Sequence, residues 1–153
     1  MRRVAAIIIL CVVTLSAMAQ SGWMYDNGKA GIVSDYEFIK GNYDQPTRLV
    51  LTITVNNHGD NIVLAVLKGE CDIHDFRENQ QYVVMEFDVL ESKKWEIAPV
   101  PFGERKFNAF LFGDADALIE KLKDCETFAI SLPLYDVGVQ KFYFHANGYP
   151  LDW

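Results

Sequence analysis

Between residues 48 and 56 the chain reads RLVLTITVN, and its side chains alternate strictly. Leu49, Leu51, Ile53 and Val55 fall on one side, and Val50, Thr52, Thr54 and Asn56 on the other. A period of two carried by β-branched residues predicts a strand with a buried face. The next residues, NHGDN, supply a turn, where Gly59 can take positive φ and Asn and Asp tolerate the tight backbone. IVLAVLK (62–68) follows, apolar on both faces, which predicts a central strand and a hairpin with the first. YVVMEFDVL (82–90) alternates again, with Val83, Met85, Phe87 and Val89 opposed to Val84, Glu86, Asp88 and Leu90. KKWEIAPV (93–100) puts Trp95 and Ile97 on one face. RKFNAFLF (105–112) sets Phe107, Ala109 and Leu111 against Phe110 and Phe112. ETFAISLP (126–133) and VQKFYFHA (139–146), joined through LYDVG, complete the series.

One segment changes period. DADALIEKLKD places Ala115, Leu118, Ile119 and Leu122 at helical spacing, predicting a short helix over about residues 115–123. Asp114 is placed to cap its N-terminus, and Lys121 and Lys123 suit the negative C-terminal end. Residues 20–47 are the least regular, with short strands expected near Trp23–Tyr25 and Tyr36–Ile39. About eight short strands with one helix predict a mostly β chain, a single antiparallel β-sandwich domain over 20–153 with the helix over one open end.

The first nineteen residues stand apart. Arg2 and Arg3 precede an uncharged apolar run, Val4 to Leu15, and Ala17-Met18-Ala19 fits signal-peptidase cleavage before Gln20. The run is short of the about 20 residues a bilayer core demands, so the expectation is cleavage and export, to the bacterial periplasm or beyond, with no integral membrane segment left. With the leader's two arginines gone, 12 of the 14 basic side chains remain against 21 acidic ones. Such a balance argues against a nucleic-acid binder, which needs a basic stripe to displace counterions. Cys11 leaves with the leader. Cys71 and Cys125 remain, and an oxidising compartment permits a disulfide between them.

Chemically able side chains are densest in GECDIHDF (69–76), where Cys71, Asp72, His74 and Asp75 crowd together. Their types suit zinc, but no HExxH or paired CxxC accompanies them, and His58, His74 and His145 sit in separate segments. DNGKAGIVSDYE lacks the spaced acidic ladder of a calcium loop. Cys71 with His74 or His145 would make a thiolate–imidazolium pair, yet no nucleophile signature surrounds it, and Ser34 and Ser131 lie in no G-x-S-x-G elbow. The expectation is therefore a polar connection pinned to the core by Ile73 and Phe76, with no catalytic residues, no metal and no cofactor. The aromatic surplus points elsewhere. Tyr143 shares the polar face of its strand with His145, opposite Phe142 and Phe144, and Trp95, Tyr149 and Trp153 are further candidates for a binding surface.

The order of features carries a resemblance. Trp23, the pair LVLTITVNNHGDNIVLAVLKGEC, the strand VVMEFDVLESKKW and the stretch FGDADALIEKLKDCETFAISLPLYDVGVQKFYFHANGYP resemble a group of exported β-sandwich proteins. That group includes the invasion-associated locus B proteins and the type VI secretion accessory protein TagO. The likeness spans roughly Leu49 to Gly148 and lies in core positions. It implies a non-catalytic envelope or secreted protein and transfers no active-site residue. Together these readings predict an exported binding or accessory module that engages an envelope protein or glycan. The alternatives are a hydrolase of cell-envelope polymers and a protein inhibitor of secreted hydrolases.

Overall fold

A computed structural model describes residues 22–35, 46–74 and 82–146. The expected leader, the strand expected near Tyr36–Ile39, Asp75, Phe76, Tyr149 and Trp153 lie outside them. In chain order the elements are β1 (Met24–Asp26), β2 (Lys29–Val33), β3 (Arg48–Val55), β4 (Asn61–Lys68), β5 (Tyr82–Phe87), β6 (Glu91–Pro99), β7 (Ala109–Phe112), α1 (Ala115–Asp124), β8 (Thr127–Leu134) and β9 (Gly138–His145). The chain is mostly β, as the alternation predicts.

The hydrogen bonds between the strands make one continuous nine-stranded antiparallel sheet, in the order β1-β2-β3-β4-β7-β6-β5-β8-β9. The hinge of this arrangement is β6. Its first part, Glu91 to Glu96, pairs with β5 on one side, and its last part, Ile97 to Pro99, pairs with β7 on the other. A strand that changes partners midway lets a sheet turn a corner without breaking. The far ends then approach: Asp35, just past β2, donates its backbone N–H to Tyr143 O on β9 at 2.8 Å.

One face of the curled sheet lines a single core. Leu49, Leu51 and Ile53 of β3, Val63, Ala65 and Leu67 of β4, Val83, Met85 and Phe87 of β5, Phe110 and Phe112 of β7, and Phe142 and Phe144 of β9 all belong to it. The helix closes it with Leu118, Ile119 and Leu122, and its Asp114 cap accepts a hydrogen bond from Ala117 N at 3.1 Å, as expected. β4 is central and apolar on both faces because its other side is also covered. Leu64 and Val66 join Ala109 in a second cluster under Val100 and Phe102.

Two segments differ from their reading in sequence. The irregular N-terminal stretch holds the β1–β2 hairpin, whose turn uses Asn27 and Gly28 at φ of 48° and 73°. The strand expected over 105–112 forms only from Ala109. Phe107 and Asn108 spend their carbonyls on Ile73 N and Leu67 N, which draws them away from β6.

The disulfide is corrected. Cys71 and Cys125 are both free thiols, and both are buried. They lie at opposite ends of β8: Cys125 sits just before its first residue, while Ile73, two positions after Cys71, pairs with its last, Leu134. Eight residues of strand separate them by on the order of 20 Å, far beyond the roughly 7 Å between Cα atoms that a bridge spans. Burial pushes the Cys125 thiol up to about 12, with Asp88 adding to the rise. An unfolded thiol titrates near the ordinary 9.0, so the native state holds its proton where the unfolded chain releases it. The stability this contributes is complete below about pH 9 and is lost as pH rises toward 12. The denatured, unreduced protein without residues 1–19 should show both thiols to a titrating reagent, while the same protein in its native state at pH 7 shows neither. A bridged pair would leave both silent in the denatured chain.

Candidate functional site

The described part of the GECDIHDF cluster, residues 69–74, is a structural knot. Gly69 turns the chain out of β4 at φ 120°. Arg105 then reaches in from the loop before β7. Its guanidinium donates to the Gly69 and Cys71 carbonyls and to Asp72 Oδ1, the last at 2.6 Å. The planar fork of arginine suits such convergent acceptors. Ile73 forms a bridge with Leu134, and Tyr135 N donates to Asp72 O at 3.0 Å, which ties the same segment to the end of β8. His74 stacks on Tyr135, with 5.6 Å between ring centroids.

This geometry decides what the cluster's chemistry can do. Burial pushes the Cys71 thiol pKa up, against the Thr47 hydrogen bond and the Arg105 charge that pull it down. A thiol so placed stays protonated and poorly nucleophilic at neutral pH. His145, one of its two possible partners, stands opposite Thr127 at the other end of β8 and contacts Asp35 at 2.9 Å. Among the described residues, no three His, Cys, Asp or Glu side chains gather closely enough to hold a metal.

The candidate binding residues fall in different places. Trp95 is 3 % exposed and packs edge-on against Phe87, so its ring belongs to the core. Tyr149 and Trp153 lie outside the described residues. Tyr143, in contrast, stands 47 % exposed on the solvent face of β9. The surface around it is the outer side of β6, β5, β8 and β9, and the strand registers fix its layout.

Core-facing positions on these strands are odd-numbered in β5 and β6 and even-numbered in β8 and β9, so the alternate positions face solvent. One row across the sheet runs Lys94, Val84, Ser131, Lys141, and the next runs Ser92, Glu86, Ala129, Tyr143. The centre is low, built of small side chains. The rims are tall. Tyr82, 45 % exposed, carries the Lys94 ammonium over its ring at 4.5 Å. Lys141 reaches diagonally to Glu86 at 2.7 Å, and that hydrogen bond holds the Lys141 pKa above the usual range. Tyr82 and Tyr143 are two strand spacings and four residues of rise apart, roughly 17 Å.

The result is a surface with a half-exposed tyrosine on β5 and another on β9, the small side chains Ala129 and Ser131 on β8 between them, and the Lys141–Glu86 ion pair crossing over β8. Such a surface stacks flat apolar faces and hydrogen-bonds hydroxyls, and it excludes nothing by shape. Tyr82 is a member of the site that the alternation alone does not single out. Its signal is its place with Val84 and Glu86 on the polar side of β5, which matters only once β9 is known to lie on the same face. Comparison with known protein families, with curated proteins and with solved structures gives no match to this chain, and so adds nothing to the resemblance drawn from its core positions.

Proposed function

We propose that this chain is a non-catalytic, exported binding module that holds an extended glycan of the cell envelope across the outer face of β5, β8 and β9. The observation that carries the reading is the pair of half-exposed tyrosines, Tyr82 and Tyr143, on the solvent face to either side of β8 and of the Lys141–Glu86 ion pair that crosses it. Sugar rings present apolar faces ringed by hydroxyls. Tyrosine matches both, with a ring to stack and a polar tip, and it costs little side-chain entropy to hold still. Glu86, Lys94, Lys141 and Ser131 supply donors and acceptors between the rings. A ligand spanning roughly 17 Å is several sugar units long, so a polymer fits better than a single sugar. The leader motif and the acidic surface agree with an exported protein that meets neutral polymer more readily than anionic surfaces.

The test is retention on purified peptidoglycan sacculi and on an array of neutral polysaccharides, measured as a dissociation constant and as released product. Binding without turnover is the expected result. The double variant Tyr82→Ala/Tyr143→Ala should bind roughly thirtyfold more weakly, about 1 kcal/mol for each ring, while keeping its thermal midpoint. Tyr149→Ala/Trp153→Ala serves as the comparison for the C-terminal aromatics. Release of soluble fragments by the purified protein would replace this reading with a hydrolase.

A further inference from the structure

The change of partner in β6 leaves something exposed. Glu91 to Glu96 pair only with β5, and β7 reaches β6 only from Ile97 onward. Gly113 N donates to Glu96 O at 2.9 Å and carries the ladder one step further, after which the chain turns into α1. Among the described residues no strand lies beside the β7-side edge of Glu91 to Trp95, roughly 17 Å long, and α1 reaches only its Glu91 end, through the Lys121 ammonium at 2.6 Å from the Glu91 carboxylate. In an antiparallel ladder alternate residues turn their N–H and C=O to the same neighbour. Because Glu96 turns its carbonyl to Gly113, and Val100 its N–H to Ala109 O, the even positions face this side. Ser92 and Lys94 thus present their backbone groups to the gap.

A cavity of about 310 Å³ lies there, lined by Lys93, Lys94, Trp95, Glu96, Gly113 and Asp114. Consecutive strand residues point to opposite faces, so four in a row line one cavity only where it meets the strand's edge. Two further features describe what fits. Trp95 Nε1 is a buried donor with no acceptor. Lys93 and Lys94 rest their ammonium groups on the Trp95 and Tyr82 rings, at 4.2 and 4.5 Å, in a protein otherwise rich in acid. Asp114 is already spent on the helix N-terminus.

We infer that the open edge of β6 is a strand-addition site for an extended acidic segment of a partner protein. The segment's backbone pairs with Ser92 and Lys94, and its carboxylates meet Lys93 and Lys94. Main-chain pairing supplies affinity in this mode, and the flanking side chains supply selectivity. The site shares Ser92 and Lys94 with the outer face but includes neither Tyr82 nor Tyr143, so loss of glycan retention in Tyr82→Ala/Tyr143→Ala with peptide capture unchanged separates the two readings.

The experiment pans a display library of random decapeptides on the purified mature protein and then measures amide hydrogen exchange with a selected peptide. The expected consensus alternates β-branched residues with Asp or Glu. The Ser92 and Lys94 amides should exchange fast in the free protein, while those of Lys93 and Trp95 are protected, and the peptide should slow Ser92 and Lys94 at least tenfold. Ser92→Pro removes an edge donor without touching the β5 ladder, and it should abolish capture while leaving the thermal midpoint intact. Lys93→Glu/Lys94→Glu should reverse the preference toward basic peptides. Slow exchange of Ser92 and Lys94 in the free protein, no acidic consensus, or capture that survives Ser92→Pro would each overturn the inference.

Discussion

Phe144→Ala is expected to lower the unfolding free energy by about 4 kcal/mol, the cost of emptying a large aromatic from a packed core. Phe144 is fully buried and lies opposite Phe128 in the β8–β9 ladder, with the two rings stacked at 4.4 Å and 6°. Both neighbours are themselves fixed. Phe128 is held in β8, between β5 and β9, and Ala146 N is tied to Glu126 O at 2.8 Å, so the space cannot collapse by a local shift. Urea unfolding with an unchanged m-value measures the loss directly. Phe144→Leu keeps most of the volume and should recover more than half of it. A loss below about 1 kcal/mol for the alanine variant would mean that the β9 face is not closed against the core as described.

Gly69→Ala should be the most damaging single-methyl change, costing roughly 3 kcal/mol from backbone strain and overpacking together. Gly69 has φ of 120°, where an L side chain is strained. An added Cβ would also lie 2.6 Å from Thr47 Oγ1 and 3.0 Å from Thr47 Cα. Thr47 is fully buried just before β3, so its backbone has nowhere to go. The same turn delivers the Gly69 and Cys71 carbonyls to Arg105, and its displacement loosens the loop before β7 as well. The expected result is a large fall in thermal midpoint together with faster amide exchange at Leu67 and Ile73, whose N–H groups donate to Asn108 and Phe107. Gly59→Ala is the control for positive φ without crowding, since nothing lies within 4 Å of its added Cβ. Equal losses at the two positions would show that strain alone, and not the contact with Thr47, sets the cost.

Much of the fold is legible from spacing because spacing is a property of the local chain. The alternation of Leu49, Leu51 and Ile53, the doubly apolar run of β4, the helical stripe of Leu118, Ile119 and Leu122 and the Asp114 cap all stand in the structure as their periods predict. The misread stretches are those where distant partners decide. β2 is short and interrupted by Gly31, and it becomes a strand because β3 lies beside it. Phe107 and Asn108 read as strand by composition, yet their carbonyls are claimed by residues more than thirty positions away. The cysteine pair was permitted by compartment and is refused by the length of β8 between them.

The site follows the same division. Tyr143 was visible as the exposed aromatic of an alternating strand. Trp95, equally aromatic, went to the core because its face of β6 is the buried one. Tyr82 gained its meaning only when β8 brought β5 and β9 onto one surface. The knot at Cys71 is polar by composition, but Arg105 makes it rigid from a different loop.

By itself, then, the sequence determined most of the strands from β3 onward, which of their faces avoids water and where the helix begins, since these depend on neighbours a few residues apart. Tertiary structure alone decided that the strands close into one sheet, that β6 divides its pairing between β5 and β7, and that two tyrosines share a face while two cysteines do not meet. Those outcomes rest on hydrogen bonds between residues far apart in the chain, and nothing in local periodicity records which edge a strand will choose.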